Sequence, residues 1–147
     1  MNINIRTATE QDLEAVYNLL IEFAAFHGSS DKVYTTAAQL KLDKELFQCL
    51  VAETGDKRII GFASHFYTYY SWSGKALYID DLYVTQSSRK QGVGKALLDA
   101  IVQKAKDNTC FKVRWQTSRW NHNAIAFYKT YGAEIDEVEI NCDYVLK

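Results

Sequence analysis

No proline interrupts the 147-residue chain, and no apolar run approaches the roughly 18 residues that a membrane-spanning helix needs. The N-terminal MNINIRTATE also lacks the apolar stretch of a secretory signal. Together these absences point to a cytoplasmic protein with no membrane partner. Net charge is missing as well. Seventeen basic side chains offset 18 acidic ones, so no global field recruits nucleic acid, and none is expected as a partner. Cysteine is scarce and odd in number: Cys49, Cys110 and Cys142 each fall in a stretch that reads as strand, so buried thiols are expected rather than disulfides. With His27, His65 and His122 they show no metal-ligand spacing, and no metal is expected.

One glycine loop is defined first by what it lacks. SSRKQGVGKALL, residues 87–98, has Arg89 where a phosphate-binding lysine loop needs its first glycine, and Ala96 where that loop needs Ser or Thr. A dinucleotide fingerprint needs three glycines, and only Gly92 and Gly94 are present. Neither nucleotide template fits.

What is present reads as one domain, residues 1–147, of α+β order. INIRTA predicts a strand, and Thr9 to Asp12 resembles a capping box with Asp in place of Glu. Leu13, Val16, Tyr17, Leu20, Phe23 and Ala24 recur at helical spacing up to Gly28. A second helix is expected from Thr36 to just before Cys49. CLVAET, IIGFASHFYTYY and ALYIDDLYV, separated by the turns TGDK and SWSGK, predict an antiparallel meander. From Val93 an apolar stripe of Ala96, Leu97, Ala100, Ile101 and Ala105 predicts a helix, FKVRWQT a strand, and Ala124, Phe127, Tyr128 and Tyr131 a last helix between Asn121 and Gly132. AEIDEVEINCDYVL reads as a final pair of strands.

A loop that joins a strand to a helix N-terminus presents backbone N–H groups and the positive end of the helix dipole, so it is an anion site. Gly92 and Gly94 clear space for a pyrophosphate, and Arg89 and Lys90 can pair with its oxygens.

LYIDDLYV, then Arg89-x-x-Gly92-x-Gly94, then WNHNAIAFYKTYGA resembles the GNAT acyltransferase superfamily across essentially the whole chain. YYSWSGKALYIDDLYV and WNHNAIAFYK are similar, more narrowly, to the spermidine/spermine and thialysine acetyltransferases. The resemblance implies a central mixed, mostly antiparallel sheet of six to seven strands with about four helices, and a homodimer. It implies acetyl-CoA held by the backbone of Leu82, Tyr83 and Val84, by Arg89, Lys90, Gln91, Gly92, Val93, Gly94 and Lys95, and by Asn121 and Tyr128. Tyr128 matches the family's general acid. Asp80 stands where relatives often carry a Glu base, and Lys90 where they often carry glycine, a change that is tolerable if the backbone there avoids positive φ.

Acetyl transfer to an amine needs a proton acceptor for the ammonium and a donor for the departing thiolate. Asp80 and Asp81 are adjacent, so in a regular strand they face opposite sides of the sheet and cannot both line one pocket equally; the resemblance implies Asp80 as the base, acting through water, with Asp81 left to bind the cationic substrate. Trp72, with the other aromatics of the central strands and the acids of the tail, suits a polyamine, diamine or lysine-like amine. A protein or peptide N-acetyltransferase, or a catalytically silent acyl-CoA-binding module, are the alternatives.

Overall fold

A computed structural model describes residues 2–146. The chain divides into two compact units, one up to Trp115 and one from Gln116. The first holds β1 (Ile3–Thr7), α1 (Leu13–Phe26), α2 (Ala37–Leu42), β2 (Gln48–Thr54), β3 (Ile59–Tyr70), β4 (Gly74–Val84), α3 (Val93–Asp107) and β5 (Lys112–Trp115); the second holds α4 (His122–Tyr131).

Local signals set most boundaries. The Thr9/Asp12 capping box forms and opens a short 3-10 turn that runs into α1. Thr36 accepts from the Gln39 N–H to start α2, and Asn121 accepts from the Ala124 N–H to start α4. Gly28 and Gly132 take the left-handed conformation after α1 and α4. α2 ends at Leu42, earlier than expected: Asp43 leaves helical geometry at φ −96 and ψ 19, and its carbonyl accepts from the Leu46 and Phe47 amides in the turn that leads to β2.

The sheet order is β1-β2-β3-β4-β5, antiparallel throughout except for the parallel pair β4/β5. Its two faces alternate along β3. Phe62 packs with Val16 and Leu19 of α1, together with Cys49, Val51 and Tyr83. Gly61 turns to α3, where a Cβ would come within 3.2 Å of the Leu97 side chain and 3.0 Å of the Tyr83 carbonyl oxygen, so the missing side chain lets helix and sheet close up. Leu97, Leu98 and Ile101 of α3 are completely buried.

Five strands form among the described residues, not six to seven. Residues 133–146 contain none. Alternation in that stretch is real, but a strand exists only when a neighbour takes its backbone hydrogen bonds, and the unit from Gln116 contains no other strand. Val138, Ile140, Tyr144 and Leu146 are accordingly left exposed. Cys110 and Cys142 also lie outside strands, and only Cys49 is buried; all three are free thiols.

Candidate active site

β4 organises the first unit's site. β3 pairs with it from Gly74 to Val84, whereas β5 pairs only with Ala76 to Ile79. From Asp80 onward its other edge has no strand partner among the described residues. Backbone groups of Leu82 and the N–H of Val84 on this edge can therefore take an extended ligand as an added strand.

Asp80 begins this free edge, and it is not in a regular strand. Ser64 pairs with Asp81 and His65 with Ile79, so Asp80 is the extra residue of a β-bulge. The regular alternation on which the expectation of opposite faces rested is broken at this point. The bulge brings them close enough for Asp80 to act on its neighbour: Asp81 is pushed up to about 7, mainly by burial and further by the charge of Asp80. Asp80 is exposed at its surface, yet the protein packed around it also raises its carboxyl above the ordinary range. The Asp81 carboxyl can thus take up a proton near neutral pH, and that of Asp80 is shifted in the same direction.

The glycine loop follows directly. Gly92 sits at φ 81 as the residue before α3, with no side chain capping the helix. The first intrahelical bond runs from the Ala96 N–H to Gly92 O, so the N–H groups of Val93, Gly94 and Lys95 have no intrahelical acceptor. A Cβ at Gly92 would meet nothing within 4 Å, and one at Gly94 would meet only Val84 Cγ2 at 3.9 Å. The open space above a helix N-terminus fits a pyrophosphate. Gly94→Val is expected to leave the fold intact, because that space tolerates a side chain, and to raise the acetyl-CoA dissociation constant at least tenfold, about 1.4 kcal/mol. Calorimetric titration of the folded variant checks this, and unchanged affinity removes the loop from the binding site.

Arg89 and Lys90 behave differently from the simple picture of two phosphate-pairing cations. Arg89 donates Nε–H to the Val84 carbonyl at 3.0 Å and lays its guanidinium over Phe26 at 4.7 Å and Tyr83 at 5.2 Å. Tyr83 in turn donates to Glu22 at 2.6 Å, and Thr85 donates to the same carboxylate at 3.0 Å. Arg89 is thus an anchor that holds the start of the loop against β4 and the end of α1. Lys90 does not avoid positive φ: it sits at 61°, a conformation that favours glycine and strains a lysine backbone. Gln91 is exposed, and the Lys95 ammonium turns along α3 to Asp99 at 2.8 Å.

Trp72 is fully exposed in the turn between β3 and β4. Six residues of strand separate Gly74 from Asp80, about 20 Å at 3.3 Å per residue, so Trp72 is not brought to the carboxylates. In the second unit Asn121 caps α4 and Tyr128 is buried on that helix, where burial raises its phenol further. The phenol keeps its proton at neutral pH. A cavity of about 410 Å³ lies elsewhere, lined by Thr9, Glu10, Lys44, Phe47, His65 and Lys104 among others, and none of the expected site residues lines it. Among the described residues no cluster of His, Cys, Asp and Glu could hold a metal.

Sequence reasoning missed Ser64, Glu22 and Phe26. Ser64 alone had a visible signal, a hydroxyl inside the otherwise apolar run IIGFAS.

An acyltransferase is the class this arrangement defines. Residues 13–133 match the acetyltransferase (GNAT) family, and the chain belongs to it. It is 36% identical over 139 residues to spermidine/spermine N(1)-acetyltransferase-like protein 1 of Homo sapiens, a match that covers 88% of this chain and 20% of that protein, so the chain spans about a fifth of the relative's length. It is 30% identical over 150 residues to thialysine N-epsilon-acetyltransferase of Sus scrofa, covering 94% of this chain and 88% of that one. In fold it is similar to an aminoglycoside acetyltransferase from an uncultured soil metagenomic sample, with a TM-score of 0.80, 24% identity, and coverage of 99% and 97% of the two chains.

Proposed function

We propose that the protein acetylates a primary amine of a small cationic metabolite, a polyamine, diamine or lysine analogue, by direct attack with both substrates bound. The observation that carries this reading is the Asp80–Asp81 bulge at the head of the unpaired β4 edge. It places anionic charge at the head of an interior strand edge that β5 leaves uncovered from Asp80 onward. The names of the spermidine/spermine and thialysine relatives support the same substrate class.

Acetyl-CoA, when bound, supplies the acetyl thioester. The chain's contribution is binding and proton management. Leu82 and Val84 offer backbone groups to the extended arm, with Tyr83 between them paired to Phe62 of β3, and the amides of Gly92 to Lys95 take the pyrophosphate. Asp80, the exposed carboxylate, receives the ammonium proton through water. Asp81 holds the substrate cation, and because the two carboxyls interact their titration belongs to the pair. The resemblance assigns Tyr128 the proton for the departing sulfur, and that proton resides on its Oη at neutral pH.

Several broader features belong to the same proposal. Residues 1–147 act as one domain, the family match running across both compact units. The chain works as a homodimer, for which the exposed apolar residues of 133–146 offer contact surface. It works in the cytoplasm, in keeping with three free thiols and with no described helix long and apolar enough to cross a membrane.

A second ammonium remote from the reacting nitrogen can pair with a carboxylate, and its binding energy can orient the nucleophile. kcat/KM is therefore expected to favour diamines and polyamines over equal-length monoamines by about 1–3 kcal/mol, the scale of a hydrogen bond to a charged group. Added salt should erode the preference. Thiol release measured across diamines, polyamines, lysine analogues, monoamines and peptides tests it. Peptides outcompeting every diamine would establish the protein-acetyltransferase reading instead, and no release with any amine would leave a silent acyl-CoA-binding module.

A further inference from the structure

β3 runs without irregularity through the site. Ser64 pairs with Cys49 on one side and Asp81 on the other, and His65 pairs with Gln48 and Ile79. The irregularity belongs wholly to β4, where Asp80 has no opposite residue. A bulge disrupts the local ladder. Here the Asp81 N–H donates to the Ser64 hydroxyl oxygen at 3.1 Å.

Ser64 is an odd residue for its place. It is 2% exposed and shares the α1 side of the sheet with Phe62 and Cys49, an apolar setting in which burying a hydroxyl is unfavourable unless it is hydrogen-bonded. Packing alone would be served by alanine, which fills the fully buried position before it at Ala63. The hydroxyl oxygen holds the amide of the second carboxylate residue. Ser64 itself is closed to solvent, so little water competes for that bond.

We infer that Ser64 is a positioning residue: its hydroxyl fixes the bulge of β4 and thereby sets the separation of the Asp80 and Asp81 carboxylates. The catalytic side of this inference rests on the proposed reading of the pair as proton acceptor and cation holder, while the structural side stands on the bulge alone. Few other titratable groups act on the pair. Tyr78 on β4 feels Asp80, Cys49 on β2 feels Asp81, and His65, next to Ser64, faces the opposite side with α3 and Lys104. His65 donates Nδ1–H to the Ala63 carbonyl, so it too holds β3 at the bulge, from the other face.

The test separates the two sides. Carboxyl ¹³C NMR titration of Asp80 and Asp81 is run on the wild-type protein and on Ser64→Ala, together with the pH profile of kcat/KM and the acetyl-CoA dissociation constant. In Ser64→Ala the bulge relaxes, the carboxylates move apart, and the Asp81 midpoint falls toward the ordinary carboxylate range. kcat/KM drops about tenfold, its acid limb moves the same way, and acetyl-CoA affinity stays within twofold. Ser64→Cys preserves the fold if alanine does not, and its weaker acceptor gives a smaller shift in the same direction. Asp81 midpoints unchanged in both variants overturn the inference whatever the kinetics do. Midpoints that move while the kinetic limb stays fixed uphold Ser64 as the bulge clamp and overturn the carboxylate pair as the base.

Discussion

Tyr128→Phe is expected to lower kcat by roughly 10²-fold while leaving acetyl-CoA affinity nearly unchanged. The departing thiolate has a conjugate acid near 8.5 and a phenol titrates near 10, so protonation by tyrosine is slightly uphill and depends on position more than on acid strength. Burial raises the Tyr128 phenol still further, which guarantees that the proton is present across the neutral range. Removing the hydroxyl deletes that proton and almost no volume. Thermal unfolding of the variant should match the wild type, so a loss of rate without a loss of stability isolates the chemical role. Normal turnover would show that Tyr128 serves packing alone, and that the leaving thiolate is protonated by solvent.

Asp81→Asn is expected to stabilise the fold at pH 8 and not at pH 4. In the unfolded chain this carboxyl ionises at its model value of 3.8, whereas in the folded protein it stays protonated until about 7. Between those values the unfolded state is the more readily ionised one, so the folded state loses ground as pH rises. The penalty is absent below about 4, grows through the window, and is complete above about 7. One pKa unit corresponds to about 1.4 kcal/mol, which puts the full effect on the order of 2–4 kcal/mol. Denaturant titrations of the two proteins across this range should show a gap that opens with pH. A gap independent of pH would mean that the Asp81 carboxyl is not held in its neutral form by the site. The same substitution should raise KM for the cationic substrate, so the residue that weakens the fold is one the reaction uses.

These expectations draw on two kinds of information. Thr36, Asn121, Gly28 and Gly132 act on backbone groups within one helical turn, and each behaves as its local sequence predicts. The alternation of β3 and β4 and the apolar stripe of α3 were equally legible, because burial on one side imposes a fixed period on the chain. Lys90 was not. Its φ of 61° follows from how the loop must meet α3 after Arg89 has been tied to Val84, Phe26 and Tyr83, and those partners come from elsewhere in the chain.

The sequence by itself determined the order of elements, the glycine loop at the head of α3, and the choice of Asp80, Asp81 and Tyr128 as the residues with chemistry to offer. Each of these is a property of neighbours along the chain. Only the tertiary structure decided that Asp80 is an inserted residue whose carboxylate acts on that of Asp81, that Ser64 holds the amide between them, that β5 stops short and leaves half of β4 unpaired, and that residues 133–146 form no strands. All four depend on register or on a pairing partner. A period of two fixes which face a side chain takes, but it says nothing about which residue lies across the ladder, where a slip of one position changes every contact.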